Sequence, residues 1–170
     1  MGYIAFGGNL GSPADTLRAA IPLISERIGR VHQVSSLYET KALTLDGVPQ
    51  PNYLNAVLSV STTLEPQEIL QQLLAVEQLL GRDRSPQKRW EPRSIDLDLL
   101  FVGELVESSA ALTLPHPEIP HRDFVLQPLE EIAPDYVHPI VKRSIASLLE
   151  DLLQQGRERF VIRKIVASPS

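Results

Sequence analysis

Strand-like and helix-like periodicities alternate as β-α-β-β-α-β as far as Val102, and this order predicts an α+β fold: a ferredoxin-like split β-α-β sandwich, with helices packed on an antiparallel sheet. Period-two patterning marks the strands and helical spacing marks the helices. No internal repeat, low-complexity tract or long linker divides the 170 residues, so 1–170 reads as a single domain.

Tyr3 to Phe6 has the character of a short buried strand and runs into the turn Gly7-Gly8-Asn9-Leu10-Gly11. Ser12, Pro13 and Asp15 then supply a helix cap, a proline at the first helical position and a first-turn carboxylate. Leu17, Ala20, Ile21, Ile24 and Ile28 recur behind them at helical spacing. Val31 to Tyr38 and Tyr53 to Thr62 read as strands. In the second of these, Leu54, Ala56, Leu58 and Val60 alternate with Asn55, Ser59 and Ser61. The turn-rich stretch Thr40 to Pro51 joins the two. A second helix opens at Pro66 and stops at Gly81, and Ile95 to Val102 is the strand after it. Leu114 to Arg122 is a proline-rich loop. Phe124 to Ile132 and Ser144 to Leu153 carry helical patterns, and Phe160 to Val166 adds a last strand at a sheet edge.

Hydrophobic residues make up 43% and charged residues 22% of the chain, which describes a globular protein and excludes a disordered one. The complete lack of cysteine excludes disulfides, thiolate metal sites and thiol catalysis. No apolar run approaches a membrane span and no secretion signal opens the chain, so the expected location is cytoplasmic, with no membrane partner. A formal net charge of -5 argues against a nucleic-acid-binding surface.

The sharpest chemical signal is Ile95-Asp96-Leu97-Asp98-Leu99-Leu100-Phe101. Period-two geometry places Asp96 and Asp98 on one face of a strand, with Ile95, Leu97, Leu99 and Phe101 on the other. Like charges so placed repel, and a bound divalent cation removes the repulsion. Magnesium takes a few carboxylates together with waters and phosphate oxygens, which two aspartates can serve. The plainer alternative is a solvated outer face at a sheet edge.

Directly before this pair, Arg82 to Arg93 holds five cations against two acids. Pro86 and Pro92 keep the stretch out of helix. A cationic loop feeding a carboxylate pair suits a metal-bound polyphosphate, with arginines neutralising phosphate oxygens as charge shifts. A solvated charged loop is the bland reading. Trp90, the only tryptophan, either anchors the loop or stacks on a ring. Glu77 falls inside the apolar arc of the second helix, where a carboxylate requires either a partner such as Arg82 or a place at the site.

With these residues in view, the chain resembles the 6-hydroxymethyl-7,8-dihydropterin pyrophosphokinases. The resemblance is carried by Gly7 to Gly11, Ser35-Ser36-Leu37-Tyr38-Glu39-Thr40, Pro51-Asn52-Tyr53-Leu54-Asn55-Ala56 and Gly81-Arg82. Its most specific block is Arg89-Trp90-Glu91-Pro92-Arg93-Ser94-Ile95-Asp96-Leu97-Asp98, followed by Leu114-Pro115-His116-Pro117 and Arg122-Asp123-Phe124. It runs from about Tyr3 to Pro139. Lys41-Ala42-Leu43-Thr44 departs from the family's pattern, which has two prolines and soon a glycine there.

The resemblance implies transfer of pyrophosphate from ATP to the hydroxymethyl group of the dihydropterin, with release of AMP, in folate biosynthesis. It further implies that Asp96 and Asp98 hold two magnesium ions and that Arg82 and Arg93 stabilise the transferring group. Tyr53 and Phe124 would sandwich the pterin, Asn55 would read its polar edge and Thr40 would add a contact. Glu77, Arg89, Trp90, His116 and Arg122 would meet ATP. Partners are then small molecules, ATP and a dihydropterin, with no nucleic acid, acting on a monomer. The alternative is a ferredoxin-like nucleic-acid-binding module without catalysis, which the low aromatic content of 5% and the aspartate pair argue against.

Overall fold

The computed structural model describes residues 1–9, 11–41, 51–81, 95–156 and 158–165. In chain order the main elements are β1 (Gly2–Gly8), α1 (Pro13–Arg27), β2 (Arg30–Val34), β3 (Leu37–Thr40), β4 (Tyr53–Ser61), α2 (Pro66–Leu79) and β5 (Asp96–Val102). A short hairpin of β6 (Glu107–Ser108) and β7 (Thr113–Leu114) follows, then α3 (Asp123–Ile132), α4 (Ile145–Gln154) and β8 (Val161–Ile165). The sheet runs β5-β1-β4-β3-β8, with β2 also paired to β4, and all of its pairings are antiparallel.

Both faces of this sheet are covered. On one, Leu17, Ala20 and Ile24 of α1 and Ile69, Leu73 and Val76 of α2 bury against Ile4, Phe6, Ala56, Leu58, Val60, Leu97 and Leu99. On the other, Leu126 and Leu129 of α3 pack with Val57, Leu100 and Phe101, and α4 lies on α3 through Leu148, Leu149 and Leu152. The predicted helices start where the sequence placed them. Pro13 occupies the first turn of α1 behind Ser12, and Glu65 and Glu68 form a reciprocal capping box at the start of α2. Gly81, at φ +100°, ends the α2 segment in a conformation that glycine adopts without strain.

The structure differs from the sequence reading in three places. The single strand expected over Val31 to Tyr38 is two, divided at Ser35 and Ser36: Ser35 stays bonded to Val57 of β4 while Ser36 turns to α3. Ser35 Oγ accepts the Val57 N–H at 2.9 Å, while the Ser36 N–H and hydroxyl donate to Glu131 of α3 at 2.9 and 3.0 Å. Tyr38 adds a hydroxyl donation to the same carboxylate at 2.6 Å. The second difference is Phe101, which does not share a face with Leu97 and Leu99. The β1–β5 register shifts between Tyr3 and Ile4 and leaves Leu100 as an extra residue, so Leu100 and Phe101 both turn toward α3. The third is the β6–β7 hairpin, whose two-residue strands are too short for periodicity to mark.

Beyond α3, the chain folds into a tight turn around His138, which is only 4% exposed. Its Nδ1 accepts the N–H groups of Ile140 and Val141 at 3.2 and 3.1 Å, and its ring stands edge-on to Phe101 at 5.5 Å. Protonation removes that acceptor, and burial holds the imidazole below its usual 6.5. A folded-state pKa below the unfolded one means that the unfolded chain binds the proton first. His138 therefore contributes its full stability above about pH 6.5 and loses it as the pH falls through the lower folded value. His138→Asn keeps an acceptor oxygen that does not titrate. Urea unfolding from pH 7.5 down to pH 5 should show the wild type losing stability relative to this variant, the gap widening below pH 6.5. Parallel profiles would contradict the assignment.

Candidate active site

Three adjacent strands build the floor of one pocket on the α3 side of the sheet. Gly7 of β1 stands level with Asn55 of β4 and Asp96 of β5, and Ala5 stands level with Val57 and Asp98. One step further along β1, Tyr3 is level with Ser59 and Phe101. Along this face the rows change from aromatic to small and charged, so the apolar core under α3 gives way to open space above Ala5 and Gly7. The resulting cavity of about 190 Å³ is lined by Thr40, Tyr53, Asn55, Asp96, Asp98, Arg122 and Phe124, with Lys41, Ala5 and Gly7 among the rest.

Gly7 is small for a definite reason. A Cβ built on it comes within 3.0 Å of Asn55 Oδ1, tighter than such contacts normally run. The Asn55 side chain is 9% exposed and donates through Nδ2 to Thr40 Oγ1 at 2.5 Å. Thr40, at 2% exposure, holds that amide from the neighbouring strand β3. Tyr53 opens β4 and is half-buried at the pocket wall. Phe124 enters from the first turn of α3, and the Arg122 guanidinium carbon lies 5.6 Å from the centre of its ring, a cation–π distance.

Asp96 is half-buried and Asp98 exposed, both toward the cavity, on the strand that forms one edge of the sheet. The outward side of that edge is bonded nevertheless. The His116 N–H donates to the Leu100 carbonyl at 3.0 Å, and the Leu97 N–H donates to the Glu77 carboxylate at 2.8 Å. Glu77, for which a nucleotide contact is expected, has this structural partner on β5. Its side chain is 2% exposed, closed between α2 and β5, and it holds the strand at the residue between the two aspartates. The helical arc carries Glu77 to the edge of the sheet, where a carboxylate oxygen takes the place of a neighbouring strand's carbonyl.

His116 sits beside Asp98. Its Nδ1 accepts the Glu118 N–H at 3.2 Å, so in the neutral ring Nε2 carries the hydrogen. Burial holds this imidazole below its usual range, against the opposing pull of the Asp98 carboxylate. Thr40, Tyr53, Asn55, Asp96, Asp98, Arg122 and Phe124 are thus brought to one cavity, with His116 beside it, while Arg82, Arg89, Trp90 and Arg93 lie outside the described residues. Sequence reading missed Ala5 and Lys41 as lining residues. Strand alternation carried a signal for Ala5, which shares a face with Gly7.

An antiparallel sheet covered on both faces, with paired carboxylates, an amide and aromatic rings around one small cavity, defines a small-molecule-transforming enzyme of the α+β class. The profile of the 7,8-dihydro-6-hydroxymethylpterin-pyrophosphokinase family matches residues 3–134, and the chain belongs to that family.

Among its relatives, the 2-amino-4-hydroxy-6-hydroxymethyldihydropteridine pyrophosphokinase of Synechocystis sp. is 43% identical over 150 residues, covering 88% of this chain and 74% of the relative. The protein of the same name from Haemophilus influenzae is 39% identical, covering 95% and 96%. The folic acid synthesis protein fol1 of Pneumocystis carinii is 40% identical across 89% of this chain, which spans only 20% of that longer protein. The solved structure of Plasmodium falciparum HPPK-DHPS with pteroate superposes with a TM-score of 0.75 at 15% identity, covering 91% of this chain and 44% of that one, and so shares its fold. Family membership does not favour the nucleic-acid-binding alternative.

Thr40→Val keeps the shape of the side chain and removes the partner of the buried Asn55 amide. Urea unfolding should register a loss of about 1–3 kcal/mol, the cost of an unsatisfied buried donor. No measurable change would mean that the amide is satisfied elsewhere.

Proposed function

We infer that the chain transfers the pyrophosphoryl group of ATP to the hydroxymethyl oxygen of 6-hydroxymethyl-7,8-dihydropterin, releasing AMP, and that the cavity over Ala5 and Gly7 is where the pterin sits. The observation that carries this reading is the row of Gly7, Asn55 and Asp96 across three strands, with Phe124 bordering the cavity from α3. Aromatic faces at Tyr53 and Phe124 suit a flat heterocycle, and an amide held by Thr40 offers donor and acceptor to its polar edge.

The donor set fits magnesium. Two carboxylates face the cavity from one strand, and among the described residues no group of three His, Cys, Asp or Glu side chains could cage a metal. That leaves coordination positions for water and phosphate oxygens, which is how magnesium is commonly held. Asp96 and Asp98 would hold two ions, and when bound these neutralise charge on the polyphosphate. Arg122 and the His116 Nε2–H offer donors to phosphate oxygens from the side of Asp98. The remaining work is positioning: the strand floor and the rings fix the hydroxymethyl oxygen against the β-phosphorus and exclude water from it.

Arg82 and Arg93, on the transferring group, and Arg89 and Trp90, on ATP, complete the proposal on the family resemblance alone. We also assign the protein to a monomer of one domain, acting on small molecules in the cytoplasm. Among the described residues, no helix is long and apolar enough to cross a membrane.

The test is a product assay with purified protein, ATP, magnesium and 6-hydroxymethyl-7,8-dihydropterin. AMP should appear in step with pyrophosphorylated pterin, and only with magnesium present. Asp98→Ala should lower turnover by about a thousandfold or more while leaving thermal unfolding unchanged. ADP as product, or full activity in the variant, would overturn the reaction or the metal assignment respectively.

A further inference from the structure

The family profile ends at residue 134, yet the chain returns to the pocket after that point. Following α4, the segment leading into β8 docks beside the cavity through backbone and ring contacts. The N–H groups of Phe160 and Val161 both donate to Asp123 Oδ2 at 2.9 Å, and the Phe160 carbonyl accepts the Lys41 N–H at 2.8 Å. Asp123 is 4% exposed and is the first residue of α3, one position after the cap residue Arg122. Its oxygen is turned to the C-terminal segment. These bonds fix Phe160 with its ring 6.0 Å from that of Phe124, at an interplanar angle of 80°. Such an edge-to-face contact restricts how the Phe124 ring can turn. Arg122 lies against the same ring, 5.6 Å from its centre. Phe160 also lines a second cavity of about 260 Å³, together with His121, Asp123 and Leu152.

We propose that Phe160 is a positioning residue for the pterin: the β8 segment, locked to Asp123 and Lys41, holds the Phe124 ring in the orientation in which it covers the heterocycle. This rests on the assignment of the first cavity to the pterin. Lys41 lines the first cavity, and the docked segment holds it by its backbone. The wall of the cavity is thus braced by a segment beyond the range of the family profile. The consequence is specific. Among the described residues, Phe160 meets Phe124 through its ring and Asp123 and Lys41 through its backbone, so its loss should fall on the pterin more than on ATP.

Steady-state kinetics on the full chain tests this with Phe160→Ala, Phe160→Leu, Phe124→Ala and the Phe160→Ala/Phe124→Ala pair, alongside thermal unfolding. Phe160→Ala should raise the KM for the pterin by about five- to tenfold, the size of a coupled aromatic contact. The KM for ATP should stay within about twofold, since the ring contact of Phe160 is with Phe124 on the pterin side. Phe160→Leu, which keeps bulk against Phe124, should recover part of the loss. In the Phe124→Ala background, removing Phe160 should add no further increase. An unchanged pterin KM in Phe160→Ala while Phe124→Ala raises it would overturn the positioning role and leave the pocket assignment standing. Equal rises in both KM values with a lowered unfolding midpoint would also overturn it, as general loosening. If Phe124→Ala leaves pterin KM unchanged, the pocket assignment itself fails and the positioning role fails with it.

Discussion

Every row of the site is set by β1, the strand that pairs antiparallel with β4 along one side and with β5 along the other. Its residues alternate between a buried set, Ile4 and Phe6, committed to the core under α1 and α2, and a set facing α3 that shrinks from Tyr3 through Ala5 to Gly7. The first set makes the register costly to change, because a one-residue slip would turn Phe6 out of the core. The second set opens the cavity. Aspartates from one neighbour and an asparagine from the other therefore face each other across a strand with almost no side chain of its own.

The register also has to accommodate β5, whose residues serve opposed demands. Ile95, Leu97 and Leu99 must reach one core while Leu100 and Phe101 reach the other, and simple alternation cannot supply both. The extra residue at Leu100 resolves this and leaves Asp96 and Asp98 on the cavity side. Glu77 and His116 then occupy the hydrogen-bonding groups on the outer side of the edge strand, so the carboxylate-bearing segment is bonded on both sides. Rigidity of this kind suits the proposed role of the two carboxylates, in which placement matters.

Much of this was legible in the residues alone. The order of strands and helices, the helix starts at Pro13 and Pro66 and the facing of Asp96 and Asp98 follow from periodicity and local chemistry, and the structure has them, although the Ser12 side chain, expected as a cap, bonds Asp15 instead. The parts that were not legible depend on distant partners. Ser36 turns out of its strand to Glu131, far along the chain, and Phe101 changes face because of a bulge that no period reveals. Glu77 read as a group needing either a partner such as Arg82 or a place at the site, and one group it bonds is a backbone N–H on β5, which local spacing does not point to. The bracing of Phe124 by Phe160 depends on Asp123 bonding across 37 residues, which local spacing does not encode.

The central claim is that one strand-built cavity places a flat heterocycle beside a metal held by Asp96 and Asp98. Diffraction from crystals grown with 6-hydroxymethyl-7,8-dihydropterin, a non-transferable ATP analogue and manganese in place of magnesium tests it most directly. The account predicts anomalous density within bonding distance of both carboxylates, and a ring between Tyr53 and Phe124 with its polar edge on Asn55. Manganese held without either aspartate, or a heterocycle seated away from the Gly7, Asn55 and Asp96 row, would contradict it.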